Sequence, residues 1–317
     1  MNWRPLNGPA TAAERARIKS RIHDYFRAQS VLEVDPPSLS PNAVSDPHLH
    51  SLTATDSEHS SQTMYLHTSP EFAMKRLLAG GYPDIYTVCR VYRGGEVGQR
   101  HQPEFTLVEW YRAGMLEAQI IDDTVALIHV ALGRTLPVVR TSYRQAFIDA
   151  MQLDPLIDTL DRIRDVAAFD DALASNLGDR RQDWLDVLFG ERVAPGFDAN
   201  ALTVVNAYPA DQAALAQLDA QDPKLALRFE VFAGRMELAN GFVELGDAAE
   251  LRDRFERDLE IRRDKQQREV PLDERFLAAM QSGLPACSGV ALGLERLHMV
   301  AVGANDIRDV LLFEHET

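Results

Sequence analysis

Arg93-Gly-Gly-Glu-Val-Gly-Gln-Arg-His-Gln-Pro-Glu-Phe-Thr-Leu-Val-Glu-Trp-Tyr111 is the stretch that decides the fold. Upstream of it, Ile85 to Tyr92 is β-branched and aromatic and reads as a strand, whose period of two places Cys89, Val91 and Arg93 on one face. Arg93 therefore stands where the strand ends. A glycine-rich polar loop follows, and the returning strand carries Phe105, Leu107, Glu109 and Tyr111 on one face, with Thr106, Val108, Trp110 and Arg112 on the other. One face thus lines up an aromatic ring, a carboxylate and a phenol beside a guanidinium. That set suits a nucleotide triphosphate next to a small cationic substrate.

Working outward, Thr11 and Glu14 fit a capping box, and Ile18, Ile22, Tyr25 and Phe26 form an apolar stripe, predicting a helix over about 13–29. Val31 to Val34 reads as a short strand stopped by Pro36-Pro37. Residues 35–62, rich in Pro, Ser, His and Asp, read as loops and short strands. Met64 to Thr68 is a strand leading into Ser69-Pro70-Glu71, a helix start with an acid in its first turn. That helix ends at Gly80-Gly81. Helical segments follow near 116–132, 142–151, 163–175 and 181–190, then a strand at 202–206. The last third shows strands at 225–232 and 235–243, a charged helix at 247–268, and a strand at 287–292 entering a helix at Gly293. Hairpins at both ends with helices between them indicate an α+β fold, an antiparallel sheet flanked by helices.

The 317 residues, 45% of them hydrophobic, can bury a substantial core, and no linker forces two domains. No signal-like segment and no 18-residue apolar run appears, which makes a cytoplasmic protein without membrane association the expectation. Two cysteines, Cys89 and Cys287, are too few for a disulfide framework. With 33 Lys+Arg against 48 Asp+Glu the net charge is -15, which opposes general nucleic-acid binding.

Further candidate chemistry lies in Arg228-Phe-Glu-Val-Phe-Ala-Gly-Arg-Met-Glu-Leu-Ala-Asn-Gly-Phe-Val-Glu-Leu245. A turn at Ala233-Gly234 predicts Glu230 opposite Glu237, two like charges that a divalent cation bridging to phosphate can compensate. A solvated surface hairpin is the competing reading. Asn240 and Glu244 flank Gly241-Phe242 and are candidates to line a pocket for an ammonium group. In Cys287-Ser-Gly-Val-Ala-Leu-Gly-Leu-Glu-Arg296, a strand turns through glycine into a helix bearing an arginine in its first turn, which suits a terminal phosphate; a plain packing turn is the alternative. His101 reads as either a loop histidine or a phosphate ligand.

Taken together, Pro37 behind a helix and strand, the Arg93 to Tyr111 hairpin and the Gly289 to Arg296 turn resemble the three signature motifs of class II aminoacyl-tRNA synthetases. The subtype resembled is lysyl, through Glu109-Trp-Tyr111, Glu237-Leu-Ala-Asn240-Gly-Phe-Val-Glu244-Leu and Asp183-Trp-Leu-Asp-Val-Leu-Phe189, and the similarity runs from about residue 12 to the end. The first motif begins too early to leave room for an N-terminal anticodon-binding barrel. The expectation is a single catalytic domain over residues 1–317, most similar to the elongation factor P lysyltransferase family.

That resemblance implies ATP-dependent activation of lysine, preferably (R)-β-lysine, and its transfer to a lysine side chain of elongation factor P. It implies that Arg93 holds the α-phosphate, that His101 and Arg296 hold the outer phosphates, and that Phe105 and Arg296 sandwich the adenine. Gly94, Gly95, Gln102, Glu237, Leu238 and Gly293 complete the nucleotide site, and Glu230 and Glu237 bind Mg2+. Ser69, Pro70 and Glu71 receive the nearer amine, while Tyr111 and Glu244, helped by Glu109 and Asn240, hold the far ammonium. Arg93 and Arg296 are the catalytic pair, and a homodimer is implied. A stand-alone lysyl-adenylate or tRNA ligase and an inactive synthetase-like regulatory module are the alternatives.

The lysyl pattern is broken in three places. Gly94-Gly95 stands where Asn-Glu is usual, removing the acid expected at the adenine amino group, for which Glu96 or the backbone is the candidate substitute. Gln102 replaces an asparagine. Ala291 replaces a glycine, and its methyl group is expected to reshape the amino-acid pocket toward β-lysine.

Overall fold

The computed structural model describes residues 3–56 and 62–314; residues 57–61, which fall in the stretch expected to form loops and short strands, lie outside them. The chain divides into two compact units, one of residues 1–115, 130–133 and 245–317, the other of residues 116–129 and 134–244.

The first unit opens with helix α1 (Pro9–Ala28), followed by strands β1 (Leu32–Glu33), β2 (Leu39–Ser40), β3 (Thr53–Thr55) and β4 (Thr63–Leu66), helix α2 (Glu71–Ala79), and strands β5 (Ile85–Tyr92) and β6 (Glu104–Ala113). The second unit contributes most of α3 (Glu117–Leu132), then β7 (Val138–Ser142), α4 (Tyr143–Met151), α5 (Leu160–Ala167), α6 (Asp171–Leu177), α7 (Arg181–Leu188), β8 (Leu202–Pro209), β9 (Leu225–Ala233) and β10 (Met236–Val243). The chain returns to the first unit with α8 (Ala248–Asp264), α9 (Glu274–Gly283), β11 (Cys287–Gly293) and α10 (Leu294–Val302).

In the first unit β1 runs parallel to β5, and β5–β6 and β6–β11 pair antiparallel. The register sets Val91, Cys89, Thr87 and Ile85 opposite Phe105, Leu107, Glu109 and Tyr111, and sets Gly293, Ala291 and Gly289 opposite Leu107, Glu109 and Tyr111. Paired residues share a face, so the face expected from the sequence forms. The opposite face packs on α1: Phe26 stacks on Tyr86 at 4.3 Å and meets Trp110 at 5.6 Å between ring centroids. Helix α1 begins earlier than the capping box predicts. Pro9 opens it behind Gly8, which makes no side-chain cap, and Glu14 bonds Arg17 instead; proline's fixed φ suits the first helical position.

In the second unit β8, β9 and β10 are antiparallel and β7 runs parallel to β8. The predicted helix over 163–175 is two helices, interrupted at Ala168, whose φ of 47° ends α5, and restarted by the Asp170 side chain capping α6. Tyr143, Phe147, Trp184, Leu185, Leu188, Phe189, Tyr208 and Phe232 form this unit's core. Among the described residues no helix is long and apolar enough to cross a membrane. Neither Cys89 nor Cys287 is in a disulfide.

Candidate functional site

Glu109 is 2% exposed and sits midway along β6. A buried carboxylate needs donors, and it has them: Ser69 Oγ donates to Oε2 at 2.7 Å and Tyr111 Oη donates to Oε1 at 2.8 Å. Ser69 in turn accepts the Glu71 N–H at 3.0 Å, which ties the carboxylate to the first turn of α2. Pro70 precedes that helix as its N-cap. Glu71 accepts from the fully buried Lys75 at 2.6 Å, an i,i+4 pair that the sequence displays but that was not singled out as part of the site. Ala291 lies directly across the ladder from Glu109, so its methyl group sits beside the clamped carboxylate. Cys89 shares this face, and burial, reinforced by the negative charge of Glu109, pushes its thiol up to about 12. It stays protonated and is no nucleophile.

Four residues along β6, roughly 13 Å at strand rise, lies the cationic end. The Arg93 guanidinium sits 5.1 Å from the Phe105 ring centroid, and its Nε donates to the Thr68 carbonyl at 3.3 Å. Arg296, in the first turn of α10, places Nη2 2.7 Å from His101 Nε2 and points Nε at the Arg100 carbonyl at 3.4 Å. Gly293 is the N-cap of that helix. Arg93 and Phe105 thus meet directly, as do His101 and Arg296. Gln102 is buried two residues before the return strand begins.

The two glycines that break the lysyl pattern have separate backbone causes. Gly95 has φ +81°, which side-chain-bearing residues rarely adopt. Gly94 donates its N–H to the His50 carbonyl at 2.7 Å, and a Cβ there would stand 3.2 Å from Leu52 Cδ2 and 3.3 Å from that carbonyl. Glu96 keeps an oxygen 3.9 Å from Arg93 Nη1, so an acid remains at this corner one residue later in the chain.

In the second unit the Glu230–Glu237 pairing expected from the sequence does not form. Ala233 pairs with Met236, so the turn is Gly234-Arg235, and Glu237 lies opposite Phe232. A bulge between Glu237 and Ala239 then brings Asn240 opposite Glu230 and Phe242 opposite Arg228. The turn moves because Gly234 takes φ +55° as its first central residue. The extra residue matters for the site: an unbroken period of two would put Asn240 on the face opposite Glu237, whereas the bulge gathers Glu230, Glu237 and Asn240 on one face. Buried Leu238 falls within the bulge. Glu244 is buried just beyond β10, its carbonyl accepting from Gln217 at 2.9 Å. The Asn240 Oδ1 is buried with no hydrogen-bond partner among the described residues.

Glu230 is held by two residues that the sequence reading left out: Arg228 Nη2 donates to Oε1 at 2.6 Å and Tyr208 Oη to Oε2 at 2.8 Å. Arg228 was legible, standing two residues before Glu230 and therefore on its face; Tyr208 comes from another strand and carried no local signal. Burial raises the Glu230 carboxyl; Arg228 opposes the rise and Glu237 adds to it. The two glutamates therefore still sense each other without facing across the ladder.

Arginines at a strand end and a helix start, an aromatic in line with a clamped carboxylate, and antiparallel pairing between the three strands that carry them define a class of aminoacyl-adenylate-forming catalytic folds. The model for tRNA synthetases class II (D, K and N) matches residues 6–317, and the chain belongs to that family, among the elongation factor P--(R)-beta-lysine ligases. A protein of that name from Haemophilus ducreyi is 40% identical over 316 residues, covering 99% of this chain and 96% of the relative. The corresponding protein of Pseudoalteromonas translucida is 40% identical over 318 residues, with 98% and 97% covered. That of Proteus mirabilis is 41% identical over 318 residues, again with 98% and 97% covered.

Proposed function

We propose that this chain is an ATP-dependent ligase that activates lysine, (R)-β-lysine in preference to the α isomer, and transfers it to a lysine side chain of elongation factor P. The observation that carries the reading is the Glu109 carboxylate, buried and fixed by Ser69 and Tyr111, on the same strand face as Phe105 and the Arg93 end of the hairpin. A carboxylate held by two uncharged donors is oriented to receive an ammonium group, and the arginines supply the complementary charge for phosphates.

In the first step an oxygen of the substrate carboxylate attacks the α-phosphorus of ATP and pyrophosphate leaves. The nucleophile is already ionised, so the protein orients the reactants and neutralises charge on the transferring and leaving phosphates. Arg93 serves the α-phosphate, His101 and Arg296 the outer ones, and Phe105 the adenine. Gly94, Gly95, Gln102, Leu238 and Gly293 complete the nucleotide contacts. Ser69, Pro70 and Glu71 receive the nearer amine, while Glu109, Tyr111, Asn240 and Glu244 take the far ammonium; the buried, unpartnered Asn240 Oδ1 is an acceptor suited to that task. In the second step the neutral amine of the target lysine attacks the adenylate carbonyl, an amide forms, AMP leaves and the amine gives up a proton.

Magnesium would be held by Glu230 and Glu237. Magnesium usually takes one or two protein carboxylates and completes its shell with phosphates and water, and the register puts Glu230 and Glu237 on one face of their ladder. When bound, it neutralises phosphate charge. Residues 1–317 act as one catalytic domain, working as a cytoplasmic homodimer through α1.

Lysine-dependent exchange of pyrophosphate into ATP tests the activation step. Exchange with (R)-β-lysine exceeding that with α-lysine is the expected result; no exchange with either isomer in the presence of magnesium would overturn the proposal.

A further inference from the structure

The residues assigned to the adenine and outer phosphates, Phe105 and Arg296, have neighbours in sequence that turn to the opposite side and meet there. Glu295, 2% exposed, accepts the backbone N–H of Thr106 on Oε2 at 2.8 Å. Its Oε1 accepts from Arg15 Nη2 at 2.9 Å, and the same nitrogen donates to Thr106 Oγ1 at 2.7 Å. Arg90, opposite Thr106 in the ladder, adds a guanidinium nitrogen 3.8 Å from Oε1. Three elements distant in sequence, α1, β6 and α10, are thus joined at one buried carboxylate.

The local reason for the junction is that a strand runs out. The β6–β11 ladder ends at the pair Gly293 and Leu107, where the chain turns into α10. Thr106 lies one residue past that last pair, and a carboxylate in the first helical turn takes its N–H in place of a strand carbonyl. Glu295 therefore fixes the first turn of α10 to β6 at the point where the next residue of the helix is Arg296 and the preceding residue of the strand is Phe105.

We infer that Arg15 and Glu295, acting through Thr106, are positioning residues that set the separation of Arg296 from Phe105, so that a residue of the N-terminal helix controls nucleotide binding without touching the nucleotide. The inference rests on the assignment of Phe105 and Arg296 to ATP. Burial strengthens it: the Arg15–Glu295 pair is 19% and 2% exposed at its side chains, and removing Arg15 leaves the buried carboxylate only the more distant Arg90, 3.8 Å away, as a compensating charge.

The test is lysine-dependent pyrophosphate exchange with ATP and lysine varied separately. Arg15→Ala is expected to raise KM for ATP by about tenfold, the cost of one charge-assisted hydrogen bond, while KM for lysine stays within about twofold. Arg15→Lys, which restores a donor to Glu295, recovers part of the loss. The double variant Arg15→Ala/Arg296→Ala should exchange no more slowly than Arg296→Ala alone, because two residues that act as a unit are non-additive. Should Arg15→Ala fail to fold, Thr106→Val, which removes only the hydroxyl acceptor, is expected to shift the same constant in the same direction. Equal effects on both substrates, additive effects in the double variant, or kinetics unchanged from an active wild type would overturn the positioning role alone. A wild type that exchanges with neither lysine isomer would instead overturn the functional assignment beneath it.

Discussion

Tyr111→Phe isolates the amino-acid end of the site. The substitution removes one oxygen, leaves the ring, which is 2% exposed, in place, and takes from Glu109 the donor that stands 2.8 Å from Oε1. A hydrogen bond to a buried charged group contributes about 1.5 to 3 kcal/mol, and each factor of ten in rate corresponds to about 1.4 kcal/mol. The loss in kcat/KM for lysine is therefore expected to lie between roughly tenfold and 150-fold. Ser69 still donates to the other oxygen at 2.7 Å, so the carboxylate stays anchored and the cost stays below that of losing Glu109 itself. The residues proposed to contact ATP sit at the far end of the strand face, and KM for ATP is expected to hold within about twofold of wild type. Pyrophosphate exchange with each substrate varied in turn separates the two effects. An equal fall for ATP and lysine, or no change for lysine, would refute the assignment of the Glu109 clamp to the ammonium.

Four further substitutions have separate expected outcomes. Ala291→Gly removes the methyl group facing Glu109 across the ladder; the preference for (R)-β-lysine over α-lysine should fall by about tenfold, the scale of one methyl-sized change in a pocket, and an unchanged ratio of kcat/KM values would count against the role of Ala291. Glu237→Gln should raise the magnesium concentration needed for half-maximal exchange by about tenfold, whereas Glu230→Gln should also lower the melting temperature, because Arg228 then loses the charge that pairs with it at 2.6 Å. His298 is fully buried and its pKa is lowered from 6.5, first by burial and then by Arg15. The unfolded chain therefore binds more protons between the folded pKa and 6.5, and stability falls as pH drops through that window. The melting temperature of the wild type should decline from pH 7.5 to pH 5.5 more than that of His298→Leu, and parallel declines would contradict this.

The strand–loop–strand core was legible because its signals are local. Period-two alternation in 85–92 and 104–113 fixes the shared face, and Gly80 closes α2 where expected. The capping box misled because Thr11-x-x-Glu14 competes with Pro9 for the start of the same helix, and proline starts it earlier. The Glu230–Glu237 pairing failed for a reason that alternation does not encode: the left-handed Gly234 shifts the turn by one residue and the bulge shifts the later ladder again. Least legible was the support behind the site. Tyr208 reaches Glu230 from another strand, and Arg15 reaches Glu295 across 280 residues, so each becomes visible only when the fold brings the partners together. The glycines at 94 and 95, which remove the acid expected at the adenine amino group, stand at positions where backbone geometry disfavours a side chain.

The central claim is that the lysine clamp and the arginines together charge a protein acceptor. Its most direct test is the intact mass of purified elongation factor P after incubation with this chain, ATP, magnesium and (R)-β-lysine. A gain equal to one β-lysyl group, absent without ATP and slower to appear with Arg296→Ala, is the predicted result; an unchanged mass under conditions where pyrophosphate exchange proceeds would contradict it.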